Sequence, residues 1–357
     1  MKKLYNKALF YQYLYTGKWP ILFGVIIFFI ATYGETQSMF SILKINISSL
    51  YSNKMEPRGI LYLFIICVAL FVIYIFITGF NKRSNLTFLN SSPFTRKEIK
   101  QNEILFLLLS LIIFVFIFLY VNICLYYNQR ELLSISSMYI STLVNDTLRL
   151  FYIGFLFIIY LEFMDMLFSN TVFTIISMII FPFTIIVNLL CILSILELLG
   201  FYIFSNYSIN IILNKISESI KYLIIGNFSP SLIEKIIIYL ILSLIILLGL
   251  IFIDKINKKF TINNINKFFN FIIVKKIFLW ITSLNFVNFI FTFIISICIS
   301  KFYYEKFYYE NPYYTGIPPS PFGLIESILL FVIISIAIIL ISKFLVKIIN
   351  KFIEQII

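Results

Sequence analysis

Apolar residues in this chain come in long unbroken runs, not at the spacing of amphipathic helices or strands. A helix needs about 20 apolar residues to cross a bilayer. Eight runs meet or approach that length: about 18–34, 59–80, 104–127, 148–168, 171–194, 233–253, 277–300 and 326–346. The pattern predicts an all-α, polytopic transmembrane helix bundle of about eight spans. The first run is short and is completed by Trp19 and its interfacial neighbours. Spans four and five are separated by Ser169 and Asn170 alone, which predicts a tight hairpin. The stretch from Glu197 to Pro230 is mixed, and fits either a short amphipathic helix or an extension of the fifth span.

Composition supports the same class. Of 357 residues, 61% are hydrophobic and 12% charged, with mean hydropathy +1.01. Soluble domains are about 45–50% apolar and carry about twice this share of charge. The chain therefore reads as a single transmembrane domain over residues 1–357, with no sizeable soluble part. The net charge of +12 has its explanation in the membrane too, because basic residues mark cytoplasmic loops; no nucleic-acid partner is expected. With the N-terminus inside, 18 of the 28 basic residues fall on the cytoplasmic side, which predicts eight spans with both termini cytoplasmic. On this layout Arg58, Arg130 and Arg149 are scattered outside. The outer loop 301–325 is rich in Tyr, Phe and Pro, and reads as an interfacial cap or as a lid that contacts substrate. Cys67, Cys124, Cys191 and Cys298 each fall inside a span without a CxxC pair, as packing residues do.

Several chemistries are excluded or left without a site. Histidine is absent, which removes the commonest general base and metal ligand. A P-loop needs GxxxxGK[ST]; the Gly17-Lys18 pair is followed by Trp19 and has Gln12 where the first glycine would stand. No cofactor site is expected, and any ATP would be bound by a separate subunit. Ion-coupled carriers need ionisable groups within their spans. Here the best candidates are Glu162 and Asp165, near the cytoplasmic end of span four and three residues apart on one helix face. They read as an interfacial helix end, or as a polar contact in a translocation path or with a cytoplasmic partner.

The polar segment between spans two and three, 81–103, is NKRSNLTFLNSSPFTRKEIKQNE. Pro93 suits the first turn of a helix, with Ser91 and Ser92 before it as capping candidates. From Phe94 the chain is expected to run helically into span three, with Phe94 and Ile99 apolar and Arg96, Lys97, Glu98 and Lys100 charged. Its plainest role is a basic anchor on anionic headgroups of membrane lipids.

The string Pro93-Phe94-Thr95-Arg96-Lys97-Glu98-Ile99, placed just after a second span, resembles the LP(V/I)(S/T)RKEI signature of bacterial ABC-2-type ABC transporter permeases. Ser92 stands where that family usually has leucine. Lys7–Trp19, KALFYQYLYTGKW, is similar to the N-terminal elbow helix of the same permeases, placed here at about 1–17. The resemblance covers residues 1–127. It implies that 81–103 is a cytoplasmic coupling loop, with Arg96 and Lys97 on the acidic rims of an ATPase groove and Phe94 and Ile99 on its apolar floor. It further implies an ABC ATPase subunit and a second permease chain, identical or paralogous, as partners. The chain itself would be no enzyme but a multi-pass subunit of a bacterial plasma-membrane exporter, with an antimicrobial peptide or other amphipathic molecule as cargo. The alternative class is a multi-spanning enzyme of cell-envelope polysaccharide assembly.

Overall fold

The computed structural model describes residues 6–48, 60–78, 94–131, 139–168, 170–172, 174–182, 184, 188, 223, 232–259, 272–299 and 324–356. Among these, seven long helices carry the fold: α1 (Lys7–Ser48), α2 (Leu61–Thr78), α3 (Arg96–Asn128), α4 (Tyr139–Leu167), α5 (Leu232–Lys259), α6 (Ile272–Ile299) and α7 (Leu324–Ile356). All seven contain a stretch long and apolar enough to cross a membrane. The protein is a multi-pass, all-helical membrane protein. The seven coincide with predicted spans one to four and six to eight. The fifth, 171–194, lies largely outside the described residues, which are helical at 171–172 and 174–182. The segment 81–93, the outer loop 301–325 up to residue 323, and nearly all of 197–230 also lie outside them.

Most of the helices exceed the apolar runs that predicted them, because backbone hydrogen bonding continues past the hydrocarbon boundary into polar residues; α2 instead lies within its run 59–80. From Lys7, α1 runs through the predicted elbow and the first span without a break, with Pro20 inside it. Helix α4 begins at Tyr139, nine residues before the apolar run.

The chain divides into two compact units, Met1–Ile175 with Asn214–Asn270, and Ile176–Leu213 with Phe271–Ile357. In the first unit α3 is central and packs on α1, α2, α4 and α5. Leu107, Leu111, Phe114, Phe118, Val121 and Leu125 are buried along it. Their alternating spacing of four and three makes one continuous seam. Phe28 of α1 meets Phe114 edge-on at 5.5 Å, and Tyr62 of α2 stacks on Phe118 at 5.6 Å. Glycines let helices approach closely, as is usual where lipid gives no hydrophobic drive to pack. A Cβ on Gly24 would stand 3.1 Å from Phe114, and one on Gly154 would overlap the Leu111 side chain.

Contacts fix the helix directions. The start of α3 meets the end of α4 through Lys100 and Asp165, and its end meets the start of α4 through Asn122 and Tyr139. Those two helices are antiparallel. Tyr239 of α5 lies against Tyr152, and Phe252 against Phe163, so α4 and α5 are parallel. The connection 168–231 therefore returns the chain to the opposite end of the unit.

In the second unit α6 and α7 pack through Val287 and Ile338, flanked by Leu284, Phe291, Leu330 and Ile334. Asn288 donates a short side-chain hydrogen bond to Asn188. On both units the remaining large apolar side chains face outward, as on Phe23, Phe116, Leu240, Phe293 and Phe344, which is the surface lipid requires.

Candidate functional site

Among the described residues, buried polar side chains of the first unit gather in three places. The densest lies where α3 begins. Thr95 caps α3 with extended backbone (φ −74°, ψ 145°). The Glu98 backbone N–H donates to Thr95 Oγ1 at 3.3 Å, and the Thr95 N–H donates to the Glu98 carboxylate at 2.9 Å. This reciprocal pair satisfies two otherwise orphaned donors. The helix thus begins at Arg96 with Thr95 as its cap, not from Phe94 as expected; the capping candidates Ser91 and Ser92 lie outside the described residues. The reason is legible in Thr-Arg-Lys-Glu, a capping box that a proline two residues before the cap leaves intact. Pro93 itself lies outside the described residues.

One turn further in, the Lys100 ammonium donates to three carboxylates: Glu103 at 2.6 Å, Asp165 at 2.6 Å and Glu162 at 3.1 Å. All four residues are buried. Tyr74 of α2 donates a short hydrogen bond to the second Asp165 oxygen. Tyr13 of α1 reaches the Ile99 carbonyl at 3.5 Å, and the Asn6 backbone N–H donates to Asn102 Oδ1 at 3.1 Å. Four helices are therefore tied at one level. A buried ion pair is stable when each charge meets partners and the remaining lone pairs are filled. Here Lys100 uses all three N–H groups.

The predicted coupling residues divide between two surroundings. Phe94, Thr95, Lys97 and Glu98 lie at the surface or half-buried, with Thr95 and Lys97 the exposed ones. Lys97 pairs with Asp254 of α5 at 3.4 Å, and Asp254 also holds Lys258 at 2.7 Å. Ile99 is 4% exposed and belongs to the chain's own core. Arg96 is half-buried and lies in the field of Asp165 and Glu103. Glu162 and Asp165 are brought together near the end of α4 as buried partners of Lys100. Sequence reasoning took Lys100 only as a charged residue of the cytoplasmic segment and passed over Glu103 and Tyr74. The available signal was a Lys-x-x-Glu at the start of one span and a Glu-x-x-Asp at the end of the next, which antiparallel packing superposes.

The second polar place corrects the sequence reading of Arg149 as an outer-loop residue. It lies inside α4, fully buried, with NH1 at 2.9 Å from Asp146, Nε donating to the Leu223 carbonyl at 3.1 Å, and its guanidinium over the Tyr62 ring at 5.8 Å. Asp146 and Arg149 sit three residues apart on one helix face and pair with each other, which lets two charged residues of α4 stay buried. The third place is at the end of α3. Tyr139 donates to the Asn122 carbonyl at 3.0 Å, and Thr36 of α1 donates to the Asn122 side chain at 3.4 Å.

Lys100 and Asn122 are 22 residues apart on α3, about 33 Å along its axis. A hydrocarbon core is about 30 Å thick, so the first and third polar places bracket one bilayer crossing. The family models, the curated proteins and the solved structures compared with this chain gave no match.

Proposed function

We propose that the chain is the membrane-spanning permease subunit of an ATP-driven exporter of the ABC-2 type, in a bacterial plasma membrane. ATP is bound and hydrolysed by a separate ATPase subunit, and a second permease chain completes the pore. The cargo is an antimicrobial peptide or another amphipathic molecule. Both termini are cytoplasmic in this reading. The parallel course of α4 and α5 favours it, since a further span between them restores the alternation of direction that eight spans require.

The observation that carries the reading is the start of α3. A transmitting element must offer an exposed surface to its motor and be stiff toward the spans it moves. Thr95 and Lys97 are exposed there, and the capping box fixes the helix end. Behind them Ile99 and Lys100 are locked to α1, α2 and α4. Closure of an ATPase against this turn would displace all four helices together. Phe94 then supplies the apolar contact and Lys97 the orienting charge, while Ile99 acts from inside as an anchor. An apolar groove of about 480 Å³ between α1 and α3, lined by Val25, Phe29, Phe116 and Tyr120 among others, suits the apolar part of such a cargo.

The test is affinity purification of tagged full-length protein in mild detergent, with mass spectrometry of the chains that come with it. A P-loop ATPase is expected with the wild type and is lost with Lys97→Glu, which changes an exposed residue and leaves the fold intact. Charge reversal at Arg96 is unsuitable, because that side chain faces the buried carboxylates. If no ATPase accompanies the wild type under conditions that preserve a known transporter complex, the segment is a lipid anchor and the permease reading fails.

A further inference from the structure

Helix α7 outruns the membrane it crosses. Its 33 residues, Leu324–Ile356, make a rod about 50 Å long, against a hydrocarbon core about 30 Å thick. Counted from Leu324, about 20 residues fill that core, which brings the second boundary to Lys343. From there the helix continues as KFLVKIINK to Lys351 and on to Ile356.

Lys343, Lys347 and Lys351 repeat every four residues. That spacing sets them about 6 Å apart along the axis and within an arc of about 80°. All three are exposed. Ile338 and Leu345 belong to the seam that α7 forms with Val287 of α6. Lys347 is nine residues from Ile338, which is half a turn round the helix, so the stripe points away from α6. Phe344, 65% exposed, and Ile348, 37% exposed, stand beside the lysines on the outer surface. Other lysines at the ends of spans are engaged by the chain itself: Lys100 by three carboxylates, Lys97 and Lys258 by Asp254. The three on α7 meet no carboxylate among the described residues.

We infer that the Lys343, Lys347 and Lys351 face of α7 is a binding surface for anionic phospholipid. The lysines hold the headgroup phosphates, and Phe344 and Ile348 lie against the upper acyl chains. The occupant follows from the mixture of groups. A phospholipid offers a phosphate and hydrocarbon within a few ångströms of each other, whereas a soluble acidic protein would leave Phe344 and Ile348 in water. Depth agrees: the headgroup layer is about 5–7 Å deep on each side of the core. Lys343 and Lys347 fall within it, and Lys351 returns to it along its flexible stem. A basic cluster at the end of a span draws anionic lipid in this way. The surface stands apart from the permease reading, because no ATPase or cargo enters the argument.

The test uses the full chain in phosphatidylcholine nanodiscs that hold a trace of phosphatidylglycerol with a photoreactive headgroup. Cross-linked peptides are located by mass spectrometry, and a photoreactive phosphatidylcholine is the reference. Each lysine near the surface contributes roughly fivefold, so three give on the order of a hundredfold preference for the anionic probe at 343–356. Replacing all three with Gln should abolish that preference, and replacing all three with Arg, which keeps the charge, should preserve it. Lys351→Gln alone, furthest from the hydrocarbon, should cut it about fivefold, which covers the case in which the triple Gln variant fails to insert. Equal labelling of 343–356 by the two probes overturns the inference. So does a preference that survives both the triple and the single Gln variants, or one abolished by an excess of glycerol phosphate, which has the phosphate without the chains and would mark a plain anion site.

Discussion

Lys97 and Lys100 lie three residues apart in one helix, and sequence alone treats both as basic residues of a cytoplasmic segment. The structure gives them very different energetic weight. The Lys97 side chain is 54% exposed and meets Asp254 at 3.4 Å, while that of Lys100 is 6% exposed and holds three carboxylates, two of them at 2.6 Å. An exposed pair is worth about 0.2–1 kcal/mol. Removing one partner of a buried pair costs about 3–5 kcal/mol, because the other charge is left buried and unpaired. Lys97→Met should therefore cost less than about 1 kcal/mol and Lys100→Met at least about 3 kcal/mol. The lower bound applies because three acceptors lose their donor at once. Reversible unfolding of the full chain in mixed micelles, followed by circular dichroism, measures both. Adding Asp165→Asn and Glu103→Gln to Lys100→Met should recover part of the loss, since those changes remove two of the three stranded carboxylates. Equal costs for the two lysines, or a Lys100→Met cost below about 1 kcal/mol, would refute the buried hub.

Thr95→Ala should cost about 1 kcal/mol through loss of the N-cap, with faster amide exchange confined to the first turn of α3. Gly154→Ala places a methyl group against Leu111 and should cost about 1–3 kcal/mol by overpacking; combined with Leu111→Ala the total should fall short of the sum, a coupling visible in a double-mutant cycle. Arg149→Met leaves Asp146 buried without its guanidinium and should cost about 3–5 kcal/mol, and Arg149→Met with Asp146→Leu should restore most of it. If the single and double variants unfold alike, the cost of Arg149→Met does not come from stranding Asp146.

Much of the helical layout was legible in the chain because a bilayer tolerates almost nothing else. The run 59–80 became Leu61–Thr78, and 233–253 lies within Leu232–Lys259. The ends were less legible, since hydropathy marks the hydrocarbon and hydrogen bonding continues beyond it, as in Lys7–Ser48. Arg149 was misplaced for a related reason: a window average counts charges singly and cannot see that Asp146 cancels Arg149 on the same face. The candidate site was half legible. Glu162 and Asp165 stood out as a pair on one helix, and the Thr95–Ile99 string stood out as a motif. That Lys100 faces inward while Lys97 faces out follows from which side of α3 meets α2 and α4. Periodicity in a helix that is apolar on nearly every side carries little trace of that.

Helix α1 has a mechanical consequence. Its 42 residues make a rod about 63 Å long, twice the thickness of the hydrocarbon core. Asn6 is bound to Asn102 at one end, and near the other Phe40 packs beside Tyr139 at 6.0 Å. A rod gripped at both ends of a bundle conveys torque between them with little loss, so a small rotation at the Lys100 level reaches the far side of the membrane as a sideways sweep. Along the rod, Pro20 has no N–H to give the Thr16 carbonyl, so one backbone hydrogen bond of α1 is missing there.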